Sequence, residues 1–120
     1  MQIETRLSDQ IARYLDLSAS EAKLTAANMA NVDTPGYRAA GIDFEAEIRD
    51  ALSEVDRGTH SEPVHVRLVD GLIARPDGNN VSMDRESLNL AEAQLRFKTG
   101  VALLRQENQR VMDAIHADSK

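Results

Sequence analysis

Apolar residues near the N-terminus follow the spacing of one face of a helix. A large apolar side chain returns at every fourth position, at Ile3, Leu7, Ile11 and Leu15. Smaller apolar residues continue the pattern as far as Met29, which predicts a helix over Ile3–Ala30. Ser18 and Glu21 fit a capping box, so two helices joined near Leu17 are the alternative to the single continuous helix that we favour.

The strongest periodicity of the chain lies between residues 84 and 115. Positions alternate there in steps of four and three, at Leu90, Gln94, Phe97, Val101, Leu104, Asn108, Val111 and Ile115. This alternation is typical of a coiled-coil seam, with a helix that packs on an ordinary core as the alternative. Gln94 and Asn108 would then be buried amides that fix the register of the helices. Gly100 predicts either the close approach of a neighbouring helix or a bend.

The middle of the chain predicts shorter elements. One face of a short helix collects the apolar residues Phe44, Ile48, Ala51 and Leu52. Asp43 is placed to cap the start of that helix, and the polar stretch 53–63 predicts a loop. Residues 64–68 alternate apolar and polar side chains, and Asp70-Gly71 is a turn signal. With residues 72–74 as the returning strand, this pattern predicts a small β-hairpin.

The expected fold class is mainly α, with long N- and C-terminal helices packing as an antiparallel, coiled-coil-like pair. The short helix and the hairpin belong to an irregular middle region. A chain of 120 residues has room for one such unit and not for two. We therefore expect a single elongated domain over residues 1–120, with an N-terminal helix (1–31), a turn, short helix and loop or hairpin region (32–83), and a C-terminal helix (84–120).

Composition narrows the classes of partner. The formal net charge is −6, and the basic residues are scattered, which argues against a nucleic-acid partner. The absence of cysteine excludes disulfides and thiolate metal sites. No apolar run approaches the roughly 18 residues of a membrane span, and the N-terminal region lacks the pattern of a cleaved signal peptide.

The stretch Thr34–Tyr37 (Thr-Pro-Gly-Tyr) predicts a type II turn directly after the first helix. Pro35 lacks the N–H that a helix needs and fixes φ at the second turn position, and Gly36 is free to adopt the positive φ of the third. Asn28 and Asn31 lie three residues apart on one helix face. Their amides can therefore bond the free carbonyls of the helix end or the backbone of a neighbouring chain.

Residues 77–81 (Asp-Gly-Asn-Asn-Val) form a turn-rich approach to the last helix. An EF-hand loop that began here would have oxygen ligands only at its first and third positions. Val81, Ser82 and Leu88 stand where a further oxygen ligand, a glycine and a glutamate are required. We therefore do not expect a calcium site.

Candidate catalytic chemistry is sparse. His60 and His65 form the one histidine pair close enough in sequence to share a local metal site, and loop histidines are more often solvated than metal-bound. The sequence contains no Gly-rich phosphate loop and no believable Ser-His-Asp set. We expect no enzymatic activity, no cofactor, no metal and no small-molecule substrate.

Two blocks, residues 27–48 and 77–98, resemble a known family. The Ala-Asn-Met-Ala-Asn run at 27–31 followed by Thr-Pro-Gly-Tyr at 34–37 resembles the N-terminal motif of the flagellar basal-body rod and hook family. Ile-Asp-Phe at 42–44 and the stretch 77–86 are similar to the proximal-rod members of that family. Ser82 stands where those members more often have aspartate, and either residue can cap a helix.

The resemblance implies a structural subunit of the proximal rod, which assembles into the drive shaft by helix–helix packing. It implies a place in the periplasmic part of the basal body, reached through the flagellar export apparatus without a cleaved leader. The implied partners are copies of itself, other rod proteins and the adaptor at the inner-membrane ring. The residues expected to carry motif and assembly roles are Asn28, Asn31, Thr34, Pro35, Gly36, Tyr37, Phe44, Asp77, Gly78, Asn79, Leu90, Phe97, Val101, Leu104, Val111 and Ile115.

The helical pattern by itself also fits a small soluble adaptor or chaperone-like protein, and a metal enzyme that uses His60 and His65 is the weakest candidate. We further expect residues 1–31 and 84–120 to be largely disordered in the free monomer and to become helical on assembly. Ordering the backbone costs about 1–2 kcal/mol per residue, whereas burying each apolar seam residue returns about 1.5–3 kcal/mol. A single partner helix within the chain has only a narrow apolar stripe, so packing on it does not offset the cost of ordering.

Overall fold

The computed structural model describes residues 5–58 and 63–118. In chain order its elements are α1 (Arg6–Ala30), β1 (Ala40–Gly41), α2 (Phe44–Arg57), β2 (Arg67–Leu68) and α3 (Met83–Asp118). The mainly α fold expected from the sequence is confirmed, because the two long helices pack along each other and the middle region adds one short helix and a small sheet. The molecule is elongated, with extents of 70 × 26 × 21 Å.

Helix α1 begins at a reciprocal cap. The Ser8 backbone N–H donates to the Thr5 hydroxyl at 3.0 Å, and the Thr5 backbone N–H donates to the Ser8 hydroxyl at 2.8 Å. The helix continues without a break through Ser18, whose hydroxyl donates to the Tyr14 carbonyl at 2.8 Å instead of capping a second helix. Ile3, the first member of the predicted apolar stripe, lies outside the described residues.

Helices α1 and α3 are antiparallel. Near the start of α1, the Thr5 hydroxyl donates to Glu107, which lies in the second half of α3, at 2.9 Å. At the other end, the Asn28 amide donates to Glu86 in the first turn of α3 at 3.2 Å. The two long helices therefore form a hairpin-like pair, and the middle region connects them.

The seam of α3 is shifted from the one that the sequence predicts. Its buried positions recur every seven residues: Glu86, Ala93, Gly100 and Glu107. Leu90 and Leu104 of the predicted seam lie between these positions and Val111 follows them, and all three are partly buried. The predicted amide positions are wrong, because Gln94 and Asn108 are exposed and neither is a buried register residue.

The remaining predicted seam residues lie at the edge of the α1–α3 contact. Val101 is partly buried, whereas Phe97 and Ile115 are 44% and 40% exposed. The shift has a simple cause: the column that faces α1 holds small and charged residues, which an apolar pattern does not select. Small residues there let the two helix backbones approach closely.

Gly100 is a point where α3 closely approaches α1. A Cβ atom at this position would lie 2.6 Å from Cδ2 of Leu15 and 3.1 Å from Cδ1 of Tyr14, both on α1. The glycine is therefore explained by the neighbouring helix, which is the first of the two predicted alternatives.

Helix α2 is longer than predicted. Asp43 caps it as expected, accepting from the Ala46 backbone N–H at 3.2 Å. The helix continues to Arg57, so the loop predicted from residue 53 is wrong over residues 53–57. Gly58, with φ of 69°, provides the left-handed cap that ends the helix.

The predicted β-hairpin is also wrong, because its strand pairs elsewhere. β2 pairs antiparallel with β1, with Ala40 opposite Leu68 and Gly41 opposite Arg67, and residues 72–74 form no strand. A backbone hydrogen bond next to the two strands stabilises this pairing: the Val69 N–H donates to the Ala39 carbonyl at 2.9 Å.

Few large apolar side chains are buried in the described part of the chain. The buried apolar residues there are Ile11, Leu17, Ala39, Val81 and Ala93. None of the helices within residues 5–58 and 63–118 has the length and apolar character needed to cross a membrane.

Candidate assembly site

The sequence motifs meet at one end of the molecule, in a group of hydrogen-bonded polar residues that we call the polar junction. It comprises the end of α1, the turn at residues 34–37, the stretch 77–81 and the first turn of α3. Asn28 lies at its centre and is 1% exposed. Its amide nitrogen donates to the Ala40 carbonyl at 2.8 Å, and its amide oxygen accepts from the Ala40 N–H at 3.0 Å.

The remaining hydrogen bonds of Asn28 join two more parts of the junction. Its oxygen accepts from the Tyr37 hydroxyl at 3.0 Å, and its nitrogen donates to the buried carboxylate of Glu86 at 3.2 Å. Glu86 also accepts from the Arg85 guanidinium at 3.1 Å. One side chain of α1 thereby holds the chain after the turn and the start of α3.

Asn79 satisfies the backbone that follows α1. Its amide nitrogen donates to the carbonyls of Asn31 and Thr34 at 2.9 and 2.8 Å. Its oxygen accepts from the Val81 N–H at 2.8 Å, and its own N–H donates to the Asp77 carboxylate at 3.0 Å. The oxygens that suggested a calcium loop therefore accept backbone N–H groups.

The predicted turn at residues 34–37 is present. The Tyr37 N–H donates to the Thr34 carbonyl at 3.2 Å, and Gly36 has φ of 75°. The Gly36 N–H donates to the Asp77 carbonyl at 2.9 Å, and a Cβ at Gly78 would lie 3.4 Å from the Gly36 Cα. The two glycine turns thus pack against each other, and Thr34, Pro35 and Gly36 remain exposed.

Sequence reasoning missed several residues of the junction. Asn80 accepts from the N–H of the fully buried Ala39 at 2.6 Å, and Arg75 donates to the carbonyls of Val81, at 3.1 Å, and Val32. Glu86 was missed because a carboxylate is not expected in a seam. The repeat of seven residues through Ala93 and Gly100 was the signal that could have found it.

Phe44 takes part in a contact among all three helices. Its ring lies edge-on to Tyr14 of α1, with centroids 5.7 Å apart, and the Arg96 guanidinium of α3 lies 4.2 Å from its centroid. Arg96 also donates to Glu21 of α1 at 2.5 Å. The predicted motif residue Phe44 therefore fixes α2 against the long helices.

At the far end of the α1–α3 pair, Glu107 is 4% exposed. Two hydrogen bonds from Arg110, each 2.9 Å long, and one from Thr5 lower the pKa of the Glu107 carboxyl below its usual 4.5. The carboxylate is therefore charged and bonded at neutral pH.

His65 has a partner within the chain. Its Nδ1 atom and its backbone N–H lie 3.0 and 3.1 Å from the Glu47 carboxylate. His60 lies outside the described residues, and residues 5–58 and 63–118 contain no group of three histidine or acidic residues arranged for a metal ion.

Helix α3 exposes large apolar side chains along much of its length. The exposed fractions are 61% for Leu88, 66% for Leu95, 45% for Leu103 and 47% for Met112. Exposed apolar side chains that lie together on one side of a helix are typical of a surface that a partner covers.

Comparison with known proteins finds relatives in several bacteria that share one name. The chain is 33% identical over 119 residues to flagellar basal body rod protein FlgB of Salmonella typhimurium strain LT2, covering 84% of this chain and 86% of that protein. It is 32% identical over 121 residues to FlgB of Escherichia coli K12, covering 86% and 88% of the two chains. It is 31% identical over 109 residues to FlgB of Borrelia hermsii, covering 74% and 80%. No protein-family model matches the chain.

Proposed function

The chain belongs to the FlgB family of flagellar basal body rod proteins, and from that premise we propose that it assembles into the proximal rod by helix–helix packing with neighbouring subunits. It is a structural subunit of the flagellar basal body rod, and its place in the cell is the basal body. The relatives do not favour the small soluble adaptor that the helical pattern also allowed.

The exposed apolar side chains of α3 are the observation that best supports assembly by helix–helix packing between subunits. Leu88 and Leu95 are both more than half exposed, although the opposite face of the same helix packs on α1. Burying such a leucine contributes about 1.5–3 kcal/mol. A neighbouring subunit that covers this face would supply the stabilisation that the single chain lacks.

The polar junction has a supporting role in this proposal. Asn28, Asn79 and Glu86 are buried and fully bonded, so they hold the end of α1 against the start of α3. The turn that they support keeps Thr34 and Pro35 exposed at the end of the molecule. We assign that turn a contact with an adjacent rod protein or with the adaptor at the inner-membrane ring.

A structural role without catalysis belongs to the same proposal, as does delivery by the flagellar export apparatus. Both rest on the membership of the chain in the FlgB family of rod proteins. The intact mass of the chain recovered from purified basal bodies tests the export route, because a cleaved leader would shorten it.

Complementation tests the rod function. A strain that lacks the gene should regain swimming with the unaltered chain, which should be recovered in purified basal bodies. Leu95→Asp should abolish swimming and incorporation, because a charge would replace an apolar contact. Gln106→Asp is the matched control on an exposed polar position of α3 and should swim normally. An unaltered chain that restores swimming without entering basal bodies would contradict a structural role.

A further inference from the structure

Two Asp-Gly pairs occur in the chain, Asp70-Gly71 and Asp77-Gly78. Both aspartates are exposed, and the two glycines have φ of 79° and 88°. When glycine follows aspartate, the side-chain carboxyl group can reach the next backbone nitrogen, because glycine has no Cβ atom to hinder the approach. The same ring closure is therefore open to both pairs, and their surroundings decide which of them reacts.

The reaction is a condensation within the chain followed by hydrolysis. The glycine nitrogen attacks the Cγ atom of the aspartic acid, an N–Cγ bond forms, and the carboxyl hydroxyl leaves as water with the N–H proton. Water then opens the five-membered succinimide ring at one of its two carbonyls. Opening at Cγ restores aspartate, whereas opening at the main-chain carbonyl leaves isoaspartate, in which the backbone runs through the side chain. One water is released and one is consumed, so no other reactant is required.

The reacting groups of Asp70-Gly71 are unoccupied. Within the described part of the chain, neither the Asp70 carboxylate nor the Gly71 N–H makes a hydrogen bond or an ion pair. An open cavity of about 240 Å³ adjoins Asp70, which gives water access to the ring. The two arginines that line this cavity pair instead with Asp43 and Glu86. Ring closure and hydrolysis are therefore both unobstructed.

The same groups of Asp77-Gly78 are occupied by the polar junction. The Asp77 carboxylate accepts from the Asn79 backbone N–H at 3.0 Å, and the Gly78 N–H donates to the Arg75 carbonyl at 2.8 Å. The Gly78 backbone also packs against Gly36. Attack at Asp77 would have to break both hydrogen bonds, so the junction protects this pair.

The backbone that follows β2 has the freedom that ring closure requires. Val69 is held by its N–H, which donates to the Ala39 carbonyl at 2.9 Å, and Arg75 by its N–H, which donates to the Asn79 carbonyl at 2.8 Å. Among the described residues, the span 70–74 between these two anchors makes no hydrogen bond. Segments that lack such bonds rearrange at little cost in free energy.

We propose that Asp70-Gly71 is a site at which isoaspartate accumulates in the folded chain, through a succinimide ring, whereas the hydrogen bonds of Asp77-Gly78 protect that pair. The modification consumes nothing but water, so its extent rises with the age of the chain. Isoaspartate adds one main-chain carbon directly after Val69 and therefore lengthens the link between β2 and the polar junction. The inference is independent of the proposed contacts between subunits.

Comparison of the two sites in the same molecules tests the proposal. Purified basal bodies that contain the chain are the folded sample, and the same preparation in urea is the unfolded one. After incubation of both at neutral pH, isoaspartate is quantified with an isoaspartate-specific methyltransferase and located by electron-transfer fragmentation. Trypsin releases both sites in one peptide, residues 68–85, because it does not cut before Pro76.

In the folded sample, residue 70 should contain at least tenfold more isoaspartate than residue 77, and in urea the two amounts should be similar. Similar amounts in the folded sample, or an excess at residue 77, would overturn the proposal. Isoaspartate at residue 70 in urea but not in basal bodies would also overturn it, since the folded chain would then protect both pairs. An excess at residue 70 that persists in urea would show that the hydrogen bonds at residue 77 are not the cause.

Water enriched in heavy oxygen tests the chemical route. Each passage through the ring should place one labelled oxygen atom in residue 70, and isoaspartate without the label would contradict a succinimide.

Asp70→Glu is the matched control variant. It keeps the negative charge, but closure through the longer side chain needs a six-membered ring and is much slower. Because the Asp70 carboxylate has no partner in the described part of the chain, cells with this variant should swim normally. The isoaspartate of their basal bodies should fall to the level found at residue 77, and an unchanged amount would contradict the assigned site.

Discussion

At the scale of single residues, Asn28 shows how one amide replaces backbone pairing. Its donor and acceptor both bond the Ala40 backbone, as an adjacent strand would, although Asn28 belongs to a helix. Asparagine in a helix interior is unfavourable unless its side chain finds such partners. These hydrogen bonds explain why the motif has an asparagine at position 28. The exposed turn depends on the same hydrogen bonds for its position.

Gly36 carries the first prediction. Its φ of 75° lies in the left-handed region, and no atom lies within 4 Å of a Cβ placed there, so the cost of substitution is conformational. Gly36→Val should weaken the turn by about 1–2 kcal/mol and reduce swimming and rod yield. Gly36→Asn, which tolerates this conformation better, is the control and should retain most of both. Equal yields for the two variants would show that the turn does not depend on positive φ.

Glu107 carries a prediction about pH. Its folded-state pKa is lowered by Arg110 and then by Thr5, so its contribution to stability is present above its ordinary pKa of 4.5. That contribution is lost as the pH falls through the lowered value. In purified basal bodies, Glu107→Gln should release the subunit at a lower urea concentration at pH 7, and the difference should shrink in acid. Glu45→Gln, at an exposed position of α2, should show no such pH dependence.

At the scale of elements, local sequence signals predicted the ends of helices and the turn. Contacts between residues far apart in the sequence were predicted poorly. Asp43 located the start of α2, and the Pro35-Gly36 pair located the turn, because each acts on adjacent backbone. The predicted seam of α3 lies one column away from the residues that face α1. The observed column contains Glu86 and Glu107, which accept hydrogen bonds from Asn28 and Thr5 and which an apolar pattern does not select. The partner of β2 lay outside the reach of local patterns, since β1 precedes it by a whole helix.

The α1–α3 contact gives a prediction at this scale. Gly100→Ala adds about 1 kcal/mol of helix propensity but places a methyl group against Leu15, and overpacking of this kind costs about 1–3 kcal/mol. We expect a net loss, read as easier release of the subunit by urea. Adding Leu15→Ala should make Gly100→Ala neutral or favourable. The same loss with and without Leu15 would show that this contact does not limit the helix spacing.

At the scale of the whole molecule, length and burial together support the prediction that neighbouring subunits stabilise the chain. It extends over 70 Å, yet the described residues bury few large apolar side chains, and α3 keeps Leu88 and Leu95 in solvent. Ordering two long helices costs more free energy than this burial returns. Coupling of helix formation to assembly remains a prediction, and it would also suit passage of an unfolded chain through an export channel.

Amide hydrogen exchange tests this central claim most directly. It is measured on the dilute free chain and on the same chain in purified basal bodies, over Leu90–Ile115 of α3 and over α1. The account predicts rapid exchange in both helices of the free chain and strong protection in the rod. Strong protection across Leu90–Ile115 in the dilute free chain would contradict it, because α3 would then be stable without a neighbouring subunit.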